Sequence, residues 1–91
     1  MTETAEARLK RLKMRSWRRG TKEMDMILGP WADAHLAALT EPRIAVYEIL
    51  LEENDQDLYR WVTSAEAAPE AIAPLLDEIA AFARARLRPA G

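Results

Sequence analysis

Apolar residues recur along this chain at helical spacings, and no segment shows the strict alternation of a half-buried strand. Ala5, Leu9, Leu12 and Ser16 fall on one face of a first segment from about Glu3 to Arg19. Arg8, Arg11, Arg15, Arg18 and Lys22 recur three or four residues apart on another face. Gly20 predicts the end of that helix, in the left-handed conformation that glycine adopts without steric cost. Thr21 is placed to cap a second helix, with Glu23 and Asp25 in its positively polarised first turn. Met24, Ile27, Leu28, Trp31 and His35 form the apolar stripe of that helix. Gly29-Pro30 interrupts the stripe, and because Pro30 has no amide hydrogen to donate, a kink or a break is expected there.

Thr40-Glu41-Pro42 signals a restart, with Thr40 as cap and Pro42 inside the first turn of a third helix. Ile44, Tyr47, Leu50 and Leu51 form its apolar face. Asn54-Asp55 ends it, and Asp55 or Asp57 caps a short fourth helix carrying Leu58, Trp61 and Val62. A loop, SAEAAPEA, leads to a last helix over about 70–87, with Pro74 near its start. Ile72, Leu75, Leu76, Ile79 and Phe82 or Ala83 point inward, and the helix stops before Arg88-Pro89. The expected fold class is all-α, a compact bundle of about five short helices forming one domain over residues 1–91. Trp31 and Trp61 lie on apolar stripes and are expected in the core. Trp17 lies off the Leu9/Leu12 face, which leaves packing under the turn and contact with a partner equally open.

Composition narrows the chemistry. With 91 residues, 49% of them hydrophobic, the chain has room for one modest core. It contains no Cys, which removes disulfides, thiolate nucleophiles and Cys-ligated zinc. Its apolar runs fall far short of the roughly 20 residues of a membrane span, and no signal-peptide core follows the charged start, so a cytosolic protein is expected. The net charge of −2 conceals a division: residues 1–22 carry +6, residues 23–79 carry −11 and residues 80–91 carry +3. Such polarity either orients the domain on a charged partner or draws a basic arm onto an acidic body. His35 is the only histidine and reads as a structural or surface residue. The acids of EEND and DQD read as a solvated helix end and a cap, and no phosphate loop or dinucleotide fingerprint is present. An enzyme is therefore not expected. Nucleic acid is not expected as a partner either, because Glu23, Asp25 and Asp33 would present the wrong sign to DNA and the pI is near 5.4.

Two blocks carry more specific information. RSWRRGTKEMDMILGPWADAHL, followed by YEILLEENDQDLYRWV, is similar to the small flavinylation factors that serve succinate dehydrogenase. The bacterial members are FAD assembly factors, and the mitochondrial ones form the succinate dehydrogenase assembly factor 2 family. The first hallmark is Arg-Gly-x-x-Glu, matched by Arg19, Gly20 and Glu23, with Asp25 and Leu28 after it. The second block is matched by Leu51, Asp55, Asp57, Leu58, Tyr59 and Trp61. The resemblance covers about residues 11–65. It implies a five-helix factor that is not itself an oxidoreductase. Such a factor binds the flavoprotein subunit of succinate dehydrogenase, and in some bacteria that of fumarate reductase, and promotes covalent attachment of FAD to a histidine of that client. It further implies a monomer in the bacterial cytoplasm, with no membrane insertion and no cofactor of its own, the FAD belonging to the client. Partner contact is expected at Arg15, Arg18, Arg19, Gly20, Thr21, Glu23 and Asp25, with Arg19 and Glu23 flanking a flat spot at Gly20. Two other readings start from the residues alone: a regulatory or antitoxin-like binder using the basic stripe, and a small enzyme dependent on His35.

Overall fold

Thr4 opens the first helix, α1 (Ala5–Trp17), by accepting a hydrogen bond from the Ala7 amide at 3.0 Å. The structure is a computed structural model that describes residues 3–64 and 66–87. The first helix is two residues shorter at each end than the periodicity predicts, because Thr4 caps it and Arg18 has already left helical geometry. In α2 (Lys22–His35) the Thr21 hydroxyl accepts from the Met24 amide at 3.3 Å. This helix runs unbroken through Pro30, so of the expected kink or break the break does not occur. Pro30 removes the amide that would reach the carbonyl four residues earlier, that of Met26. Arg86, from the far end of the chain, supplies a replacement donor to that oxygen at 3.3 Å.

A 3-10 turn, Leu36–Ala38, leads to α3 (Glu41–Leu51), where Thr40 holds the cap position without a capping side-chain bond. The cap of α4 (Asp55–Thr63) is Asn54 and not Asp55 or Asp57: its Oδ1 accepts from the Asp57 amide at 2.8 Å. The last helix is α5 (Ala73–Leu87), with Pro74 in its first turn. The predicted stop at Arg88-Pro89 lies outside the described residues. Among the described residues there are five α-helices and no strand, the all-α bundle expected.

The second helix is the centre of the bundle, packing against α1, α4 and α5. Leu12, Met24, Leu28, Trp31, Tyr47, Leu50, Leu58 and Ile79 fill the core. Ile72, just before α5, and Leu75, Leu76, Ile79 and Ala83 on it are buried, and Phe82 is half-buried against them. Trp31 is 2% exposed, as expected, but Trp61 is only half-buried at the margin. The inward positions of α4 belong to Leu58 and Val62, and Trp61 sits about 100° round the helix from Val62, on the flank of that stripe. Among the described residues, Ser16 is the one buried polar residue. Its hydroxyl donates to the Leu12 carbonyl at 2.7 Å, so the Tyr47 hydroxyl, 2.6 Å away, is left to donate to Ser16. Burial pushes the Tyr47 phenol up to about 12. Trp17 sits on Gly29, where an added Cβ would come within 2.3 Å of the ring, and its Nε1 donates to Asp33 at 3.2 Å. The glycine in the expected break is thus a seat for an indole.

A clasped turn and the groove beside it

The chain leaves α1 at Arg18 (φ −124°, ψ 53°) and re-enters helix at Lys22. Gly20 does not adopt the expected left-handed conformation; among the described residues none has positive φ. Closeness is what favours glycine here. The Gly20 amide donates to Asp55 Oδ2 at 2.6 Å, and a Cβ would stand 3.0 Å from that same oxygen.

Arg19 is turned into the protein, its side chain only 9% exposed. Nε donates to Asp55 Oδ1, Nη1 to the Leu51 carbonyl and Nη2 to the Glu53 carbonyl, each at 2.7 Å. Its own amide donates to Asp25 Oδ1 at 2.6 Å. The two carbonyls lie at the C-terminal end of α3, where helix geometry strands oxygens and favours a cation. Asp55, read from sequence as part of a solvated helix end, receives both the guanidinium and the glycine amide, and its side chain is 14% exposed. The two sequence blocks are therefore halves of one clasp joining the α1–α2 turn to the α3–α4 turn.

The remaining predicted residues divide by direction. Arg15 donates to Glu52 and to the Leu51 carbonyl, both at 3.1 Å. Thr21 caps α2, and Asp25 holds the Arg19 amide. Arg18, Gly20 and Glu23 are exposed on the outside of the turn, with Lys22 between them. The basic stripe on α1 meets the protein's own acids: Arg8 pairs with Glu41 and Glu48, and Arg11 with Glu3 and Glu48. The hydrogen bond from Arg8 holds the Glu48 carboxyl below its ordinary range, and the bond from Arg11 does the same for Glu3. Of the two meanings left open for the charge division, the arm on an acidic body is present at Arg8, Arg11 and Arg15.

Beside the turn, α2, α4 and α5 enclose an open groove of about 800 Å³. Ile27, Val62, Ala80 and Ala83 line it, and Met26 and Tyr59 stand at it 44% and 43% exposed. Lys22, Glu23 and Arg84 also border it. Met26 escaped sequence reasoning because it lies off the buried stripe, while Tyr59 was legible only as a match in the second block. His35 packs against Trp31 and the edge of Phe82, with ring centroids at 5.6 and 5.2 Å. Among the described residues no His, Cys, Asp and Glu cluster could hold a metal, and no helix is long and apolar enough to cross a membrane.

The chain is thus a small helical domain with a clasped turn and an apolar groove next to it. Residues 10–83 match the family model described as "Flavinator of succinate dehydrogenase", and the chain belongs to that family. It is 39% identical over 67 residues to a mitochondrial succinate dehydrogenase assembly factor 2 from Aspergillus terreus, covering 74% of this chain and 22% of that protein. The counterpart from Meyerozyma guilliermondii is 39% identical over 61 residues, 67% of this chain and 45% of its own. That from Arabidopsis thaliana is 33% identical over 64 residues, 70% and 34% respectively. The chain thus spans less than half the length of these relatives.

Proposed function

We propose that this protein binds the flavoprotein subunit of succinate dehydrogenase as an assembly factor and promotes covalent attachment of FAD to it. The observation that carries the reading is the clasp: Arg19 and Asp55 fix the turn from below, so that Arg18, Gly20, Lys22 and Glu23 are held out in one shape before any partner arrives. Preformed surface lowers the ordering cost of association. Glu23 and Arg18 are exposed charges able to make charge-assisted bonds to a client, and Gly20 keeps the surface between them low.

On this reading the factor supplies no general base and holds no flavin of its own. It favours the client conformation in which the acceptor histidine and the flavin are in register, and differential binding to that conformation is what accelerates attachment. Arg19 and Asp25 act through the shape of the turn, and Arg18, Gly20, Thr21 and Glu23 act by touching the client. Fumarate reductase as a second client, a monomeric state and a bacterial cytoplasmic setting belong to the same proposal. The test is covalent flavin fluorescence of the client subunit in cells lacking the factor, complemented by Glu23→Ala or Gly20→Arg. Both variants are expected to lower it, Gly20→Arg more severely. Full flavinylation by folded Glu23→Ala and Gly20→Arg would refute the assignment of the turn.

A further inference from the structure

Five large hydrophobic side chains stand exposed among the described residues, and two of them, Met26 and Tyr59, border the same groove. Its lining between them is apolar, from Ile27, Val62, Ala80 and Ala83. Arg8, Arg11, Arg15, Arg19, Arg43 and Arg60 all reach a carboxylate of this chain. Among the described residues Lys10, Lys13, Arg18, Lys22, Arg84 and Arg86 reach none, and of these Lys22 and Arg84 border the groove. Lys22 and Glu23 also belong to the outer face of the clasped turn, so groove and turn are one continuous surface.

We infer that this groove receives an apolar segment of the client that carries a carboxylate, with its apolar side chains between Met26 and Tyr59 and its acid against Lys22 or Arg84. The inference rests on the proposed partnership with the flavoprotein subunit and names the chemistry of the segment it binds. An apolar groove with unmatched cations on its border favours an acid-bearing apolar peptide over a purely apolar one, because the acid supplies the missing counter-charge.

The experiment measures Kd and association rate between purified flavoprotein subunit and four full-length variants, with circular dichroism confirming each fold. Met26→Asp and Tyr59→Asp should each weaken binding by about 10-fold or more, as expected for anchors at the centre of an interface. Arg84→Glu should slow association at low salt and lose that effect at high salt. Ile49→Asp, an equally exposed apolar site on α3, should bind as wild type. If an aspartate variant unfolds, Met26→Ser and Tyr59→Ser take its place and should weaken binding in the same direction. Wild-type binding with Met26 and Tyr59 variants within about twofold of it overturns the groove and leaves the turn. Equal losses in Ile49→Asp overturn it too, as does a homodimer that Met26→Asp splits without changing client affinity. Failure of wild type to bind the subunit removes the partnership itself, and the groove assignment with it.

Discussion

Asp55→Ala isolates the clasp, because one carboxylate serves both blocks. The substitution removes the acceptor of Arg19 Nε at 2.7 Å and of the Gly20 amide at 2.6 Å. Charge-assisted hydrogen bonds contribute about 1.5–3 kcal/mol each, and breaking a buried ion pair from one side costs about 3–5 kcal/mol. Arg19 keeps its bonds to the Leu51 and Glu53 carbonyls, so its charge is not wholly stranded. The low end applies: about 3 kcal/mol. In a domain of this size each kcal/mol lowers Tm by about 4–8 °C, so Asp55→Ala should melt roughly 12–24 °C below wild type. Thermal unfolding followed by far-ultraviolet circular dichroism measures it. Arg19→Ala and the double variant complete a cycle, in which a coupling of about 2 kcal/mol is expected of groups that touch. A Tm within about 3 °C of wild type, or additive single effects, would show that the ion pair contributes nothing and that the turn is fixed by other contacts.

Three further outcomes are expected. Ser16→Ala should cost more than Tyr47→Phe in urea unfolding, about 1–3 against about 1 kcal/mol, since only Ser16→Ala leaves a buried hydroxyl without its acceptor. Gly29→Ala should destabilise despite its better helix propensity, because its Cβ meets the Trp17 ring; in a Trp17→Ala background the same change should stabilise by up to about 1 kcal/mol. Acid should weaken the arm's attachment. The Glu48 carboxyl titrates below its unfolded value of about 4.3, so its contribution is complete above that pH and is lost as pH falls through the folded value. The urea midpoint of Glu48→Gln should accordingly fall less steeply than that of wild type between about pH 5 and pH 3.

What could be read from the sequence was what depends on near neighbours. Leu12, Leu28, Leu50 and Ile79 are buried because each repeats at helical spacing with others of its kind, a local signal. The sequence places the cap of α4 at Asp55 or Asp57, one or three residues late, because Asn and Asp serve that position almost equally well, and only the bond from the Asp57 amide to Asn54 decides it. That Pro30 does not split α2 is hidden from the sequence because the donor to its stranded carbonyl, Arg86, lies 60 residues away. The same limit applied to the candidate site. Arg19, Gly20 and Asp55 were each legible as motif positions, but that Asp55 faces the other two is a tertiary fact no spacing rule carries. An arginine in a short motif next to a glycine looks like a surface residue until its acceptors are found across 32 to 36 residues.

The clasp also sets an order of events during synthesis. Its donors at Arg19 and Gly20 lie some 35 residues ahead of the acceptor at Asp55, so closing it waits for α3 to form and for Asp55 to arrive. Helices 1 and 2 can pair earlier through their own packing, but a nascent chain ending before Asp55 lacks the carboxylate that joins the guanidinium to the Gly20 amide. Mutations at Asp55 should therefore change the unfolding rate far more than the folding rate, the signature of a contact made after the rate-limiting step. On the ribosome, that places the finished shape of the turn after emergence of the fourth helix.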